Sequence, residues 1–127
     1  MNFKRHWQLL VISIQESYAL WFCSLHKSPP KHLRQAVDCS ISANMMLVGR
    51  SIANSRKLAW IALKCNRQNG SYECGYYVMY WMTHIIRAHI TRGWETRFKT
   101  STPIPEKPLT FLRKAIAKDL VRLYNSS

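Results

Sequence analysis

The segment from Cys74 to His89, CGYYVMYWMTHIIRAH, constrains the fold more than any other part of the chain. It is apolar nearly all round, carrying Tyr76, Tyr77, Val78, Met79, Tyr80, Trp81, Met82, Ile85 and Ile86, and its length suits a helix. A helix without a wide polar face is predicted to be central and packed on several sides. Its aromatic run, Tyr76, Tyr77, Tyr80 and Trp81, reads as core and not as a base-stacking platform. Other elements must supply the covering.

Upstream, His6 to Ile14 (HWQLLVISI) is too short for a typical helix and reads as a buried strand. Gln15 to Ser17 form a polar turn, and Tyr18 to Leu25 (YALWFCSL) read as its hairpin partner. Ser28-Pro29-Pro30 stops the sheet, and Pro30 opens a helix over Lys31 to Val48, where Leu33, Val37, Ile41 and Met45 recur at helical spacing. Leu58 to Cys65 is a third strand. Asn66 to Glu73 is a loop with a turn signal at Asn69-Gly70. Thr102 to Pro108 reads as a linker before a last amphipathic helix, Leu109 to Tyr124, with Leu112, Ile116, Leu120 and Leu123 on one face. The expected fold class is α+β: a small mixed sheet packed against the Cys74 helix.

A chain of 127 residues allows one small domain, and an apolar fraction of 47% suits a packed core. Nineteen Lys and Arg against six Asp and Glu give a formal charge of +13. Such a balance favours acidic partners, among them nucleic acid, although acidic residues on another segment or subunit would explain it equally. Arg50, Arg56, Lys57, Lys64 and Arg67 form a basic stretch around the third strand, a solvated face by default. The four cysteines, Cys23, Cys39, Cys65 and Cys74, make no CxxC pair and no zinc-finger spacing with histidine, so no metal or cofactor is expected. His84 and His89 are five apart and do not share a helix face as ligands would, and His26 and His32, flanking the Pro-Pro turn, are given no role. The apolar run after Lys4 and Arg5 is cut short by Gln15 and Glu16, a poor signal peptide, and no stretch approaches the ~20 apolar residues of a membrane span. These features predict an intracellular protein, nuclear or cytoplasmic, with reduced thiols.

Cys74 sits where a polar loop ends and a helix begins. The unpaired N–H groups and dipole of a helix start favour a thiolate, and Gly75 leaves room for close approach. His6, heading an apolar strand, is the natural base, and Trp7 beside it can shield the ring. Gln68, in the loop before Cys74, can donate to the oxygen of a tetrahedral intermediate beside the Cys74 N–H. Singly these residues have plainer readings: a buried thiol, a surface histidine, a solvated loop amide.

Together they form a pattern. The segments HWQLLVI, WFCSLHKSPP and CNRQNGSYECGYYVMYWM resemble, in order and spacing, the ubiquitin-like-protein-specific proteases, the Ulp/SENP-type cysteine peptidases that process SUMO-like modifiers. The match covers roughly residues 5 to 90 and is most similar to plant members carried by transposable elements. The resemblance implies a cysteine-proteinase fold that cleaves after a Gly-Gly tail. His6 would be the base, Cys74 the nucleophile, Gln68 the oxyanion donor and Trp7 part of the roof of a narrow diglycine channel.

Two departures stand out. Where the family carries an acid in a segment like W-x-D-S-L, this chain reads Trp21-Phe22-Cys23-Ser24-Leu25, so Cys23 occupies the aspartate position. A carboxylate fixes the imidazole tautomer and stabilises the imidazolium, whereas a thiol is a weak acceptor. Glu16 and Asp38 are the nearest acids in sequence, and the motif places neither. Second, family domains carry strands and helices before the histidine strand, so residues 1–127 are expected to be a single partial catalytic domain, the C-terminal portion, with 91–127 as linker and last helix. The function classes that follow are a cysteine-type peptidase of SUMO-like modifiers, an inactive relative that binds the modifier, and a basic nucleic-acid-associated fragment.

Overall fold

A computed structural model describes residues 6–47, 57–70 and 73–126. Among them β1 (Leu9–Ser13), β2 (Tyr18–Phe22), α1 (Lys31–Leu47), β3 (Ala59–Ala62), α2 (Cys74–Arg87), α3 (Trp94–Arg97) and α4 (Glu106–Ser126) follow one another. The three strands form one mixed sheet in the order β1-β2-β3. β1 pairs antiparallel with β2 from Leu9↔Phe22 to Ser13↔Tyr18, and β2 pairs parallel with β3 from Tyr18↔Ala59 to Trp21↔Ala62. The α+β expectation holds.

The tight β1–β2 connection is closed by Ser17 in the left-handed region (φ 59°), whose carbonyl accepts from the Ala59 N–H at 2.8 Å. β2 is the central strand, and its continuous apolar run shows why: Ala19, Leu20, Trp21 and Phe22 are all buried. The parallel β2–β3 pair requires a long crossover, which α1 supplies. α1 touches β3 through Trp60, whose indole N–H donates to Asp38 at 3.0 Å while the Arg34 guanidinium lies 5.5 Å from its ring centre.

The core lies between the sheet and the helices that follow it. Phe22 packs at 5.4 Å on Trp81 and edge-on at 4.8 Å on Phe98, and Tyr77 meets Trp81 at 5.9 Å. Leu20, Leu63, Ile90, Trp94, Ile104 and Leu109 complete the cluster. The Tyr77 hydroxyl accepts from the Ile104 N–H at 3.1 Å, tying the segment before α4 to α2.

Several expectations need correcting. α2 is packed on several sides as expected, with Tyr77 and Trp81 fully buried, but its outer face leaves Met79, Met82 and Ile86 exposed. The linker ends at Pro105, because Pro108 falls in the first turn of α4, where a missing N–H leaves nothing unsatisfied. On α4 only the leading part of the apolar face is covered. Leu109 is buried, whereas Leu120 and Leu123 are 61% and 67% exposed. The short helix α3 has no apolar period to announce it. Arg50 and Arg56, from the basic stretch, lie outside the described residues, and Lys57, Lys64 and Arg67 are exposed.

Candidate active site

β2 runs directly into a tight turn, and that turn builds the site. The His26 N–H donates to the Cys23 carbonyl at 2.9 Å, with His26 itself at φ 56°. The His26 ring pairs with the Cys65 carbonyl at 2.7 Å, and the Trp21 indole N–H donates to the Lys27 carbonyl at 2.8 Å. These contacts bring the Lys27 N–H to 3.4 Å from the Cys23 sulfur.

From the other side come residues leading into β1. Extending the strand register one residue past Leu9↔Phe22 sets Gln8 opposite Cys23, and its amide Nε2 donates to the sulfur at 3.3 Å. His6, two residues earlier and so on the same side of the chain, places Nε2 3.4 Å from that sulfur. The buried Cys23 thus faces three nitrogen groups. Burial, and then the charge of Lys27, hold the His6 imidazole below its ordinary value of 6.5. A carboxylate at position 23 would act in the opposite direction.

Trp7, between His6 and Gln8, turns its backbone the other way. Its N–H points at the Cys74 sulfur at 3.4 Å. Cys74 opens α2 and is 5% exposed; Glu73 precedes it as cap residue and makes no side-chain capping bond. The Trp7 indole is 67% exposed, and its Cδ1 lies 3.7 Å from where a side chain on Gly75 would begin. That is ordinary van der Waals spacing, so the indole rests beside the helix start.

Gln68 is not the solvated amide of a polar loop. It is buried, its N–H donates to the Ser24 carbonyl at 3.0 Å, and its Oε1 accepts from the Ser24 hydroxyl. Nε2 donates to the Gly70 carbonyl at 2.6 Å, leaving the second N–H of that amide for another acceptor. The structure therefore brings His6 and Cys23 into contact, sets Cys74 against the Trp7 backbone, and locks Gln68 to the residue after Cys23. Glu16 stays exposed in the hairpin turn and Asp38 is engaged by Trp60, so neither acid contacts the imidazole. Sequence reasoning passed over Gln8 and Ser24. Only the register of β1 on β2 would have marked Gln8, and the Cys-Ser junction after a buried strand was the one hint of Ser24.

The other thiols are placed differently. All four cysteines are free. Cys65 is buried, and burial pushes its thiol up to about 11, which suits an inert core group. Among the described residues no His, Cys, Asp or Glu cluster could hold a metal ion, and no helix is long and apolar enough to cross a membrane.

No curated protein matches the chain, and no solved structure does. The family model of the Ulp1 protease family, C-terminal catalytic domain, matches residues 1–126, the span that holds every residue of this site. The chain therefore belongs to the Ulp1 protease family of cysteine peptidases, which act on SUMO-like modifiers and their conjugates.

Proposed function

We propose that this chain cleaves after the Gly-Gly tail of a SUMO-like modifier, with Cys74 as nucleophile and His6 as base. The observation that carries the reading is the convergence at residues 6–8: Trp7 N–H on the Cys74 sulfur, and His6 on Cys23. Cys23 engages Nε2, and among the described residues Nδ1 has no partner, so one ring nitrogen remains to serve the nucleophile.

The Cys74 sulfur, relieved of its proton by His6, adds to the carbonyl carbon of the terminal glycine. The oxyanion is met by the Cys74 N–H at the start of α2 and by the second N–H of Gln68. Collapse breaks the C–N bond, His6 gives its proton to the leaving amine, and a thioester remains. Water, deprotonated by His6, then attacks the thioester carbon and releases the modifier carboxylate and the Cys74 thiol. In this reading Trp7, exposed beside Gly75, roofs the diglycine tail.

The test is a SUMO-like modifier bearing a C-terminal electrophile in place of the last carboxylate. It is expected to form an adduct with Cys74 that Cys74→Ala abolishes. An adduct that survives Cys74→Ala, or none with any modifier tried, overturns the proposal. Modifier binding without adduct or turnover supports the inactive binding relative, the reading favoured by a thiol at the acid position.

A further inference from the structure

Three nitrogen groups converge on the Cys23 sulfur. His6 Nε2 lies at 3.4 Å, Gln8 Nε2 at 3.3 Å and the Lys27 N–H at 3.4 Å. A thiol has one weak donor and a weakly accepting sulfur, so amide donors on two sides leave it little to do except accept. Resting on the proposed function, we infer that Gln8 is a positioning residue: with the Lys27 N–H it holds Cys23 as the acceptor for His6 Nε2–H, fixing the tautomer that turns Nδ1 toward the nucleophile.

The geometry supports this in two independent ways. Gln8 stands opposite Cys23 by strand register, so its reach to the sulfur is set by the sheet and not by a mobile loop. The Lys27 donor is set by the turn after β2, pinned through Trp21 and His26. Position 23 is thus an acceptor nest whose two walls exist without the imidazole. Among the described residues, the charged and titratable groups around the His6 ring are Cys23 from the β2 turn and the Lys27 ammonium, while Cys74 of α2 faces the Trp7 N–H.

The experiment is a double-mutant cycle with Gln8→Met, which keeps the side-chain length and removes the donor, in the native, Cys23→Ala and Cys23→Asp backgrounds. Nitrogen chemical shifts of His6, assigned by its loss in His6→Gln, report tautomer and titration, and iodoacetamide reports the reactivity of Cys74. In the native background Gln8→Met is expected to mix the His6 tautomers and slow Cys74 alkylation about fivefold, the effect of one lost hydrogen bond. It has no further effect in Cys23→Ala and a larger one in Cys23→Asp, where a carboxylate uses the same donors. Equal losses in all three backgrounds would mean that Gln8 merely supports the strand, and would overturn the inference, as would an unchanged His6 tautomer. Should Cys23→Ala fail to fold, Cys23→Ser against Cys23→Asp makes the same comparison: a larger loss in Asp supports the inference and equal losses overturn it. Coupling of Gln8 to His6 without any modifier adduct would sink the peptidase reading and leave this one standing; an adduct without coupling would do the reverse.

Discussion

Ser24 and Gln68 show how much one hydroxyl can carry at this site. The Ser24 hydroxyl satisfies the buried Oε1 of Gln68, so Ser24→Ala leaves an acceptor in the interior without a partner. Unfolding measurements on that variant are expected to show a loss of about 1–3 kcal/mol. On the proposed function Gln68 is an oxyanion donor, and Gln68→Ala is expected to lower kcat by about 10²- to 10³-fold in a modifier-cleavage assay, with a much smaller change in KM. His6 carries a pH signature. Its folded-state value lies below 6.5, first through burial and then through Lys27, so between the two values the unfolded chain binds more protons. Stability contributed by neutral His6 is present above 6.5 and is lost as pH falls through the lowered value. His6→Gln removes that part of the acid-side decline in a pH series of melting curves. Cys74, His6 and Gln68 were singled out as candidates in the sequence because the family motif names residue types at fixed spacing. Gln8 and Ser24 were not, because their roles come from strand register and from a hydroxyl-to-amide contact across 44 positions.

At the scale of elements, the sequence marked three strands and three long helices through apolar period and through Pro and Gly stops. It overstated the burial of α2 and α4 because periodicity says which residues share a face, not whether anything covers that face. α2 has the sheet on one side and α4 on another, and Met79 and Met82 remain exposed. The contrast within α4 is testable. Leu109→Ala is expected to destabilise by about 2–5 kcal/mol, whereas Leu120→Ser and Leu123→Ser each change stability by less than about 0.5 kcal/mol in denaturant titrations. A comparable loss at all three would mean that the distal turns of α4 are packed.

Over the whole molecule, a formal charge of +13 on 127 residues is a standing self-repulsion. Among the described residues the one ion pair is Arg122 with Asp119 at 3.9 Å, exposed and on a single helix, so little internal pairing offsets it. Salt that screens this repulsion is expected to raise the melting temperature between roughly 10 and 150 mM, where the Debye length falls from about 30 to about 8 Å. A flat or falling response would show that the charges are already balanced by contacts.

All of this rests on the Cys74 sulfur and the His6 imidazole acting as a pair although they come from distant parts of the chain. The most direct measurement is the rate of Cys74 alkylation by iodoacetamide, followed by peptide mass spectrometry between about pH 5 and pH 9, in the native protein and in His6→Ala. Pairing predicts that near neutral pH the native thiol reacts at least about tenfold faster than the variant. Superimposable profiles for the two proteins would contradict it.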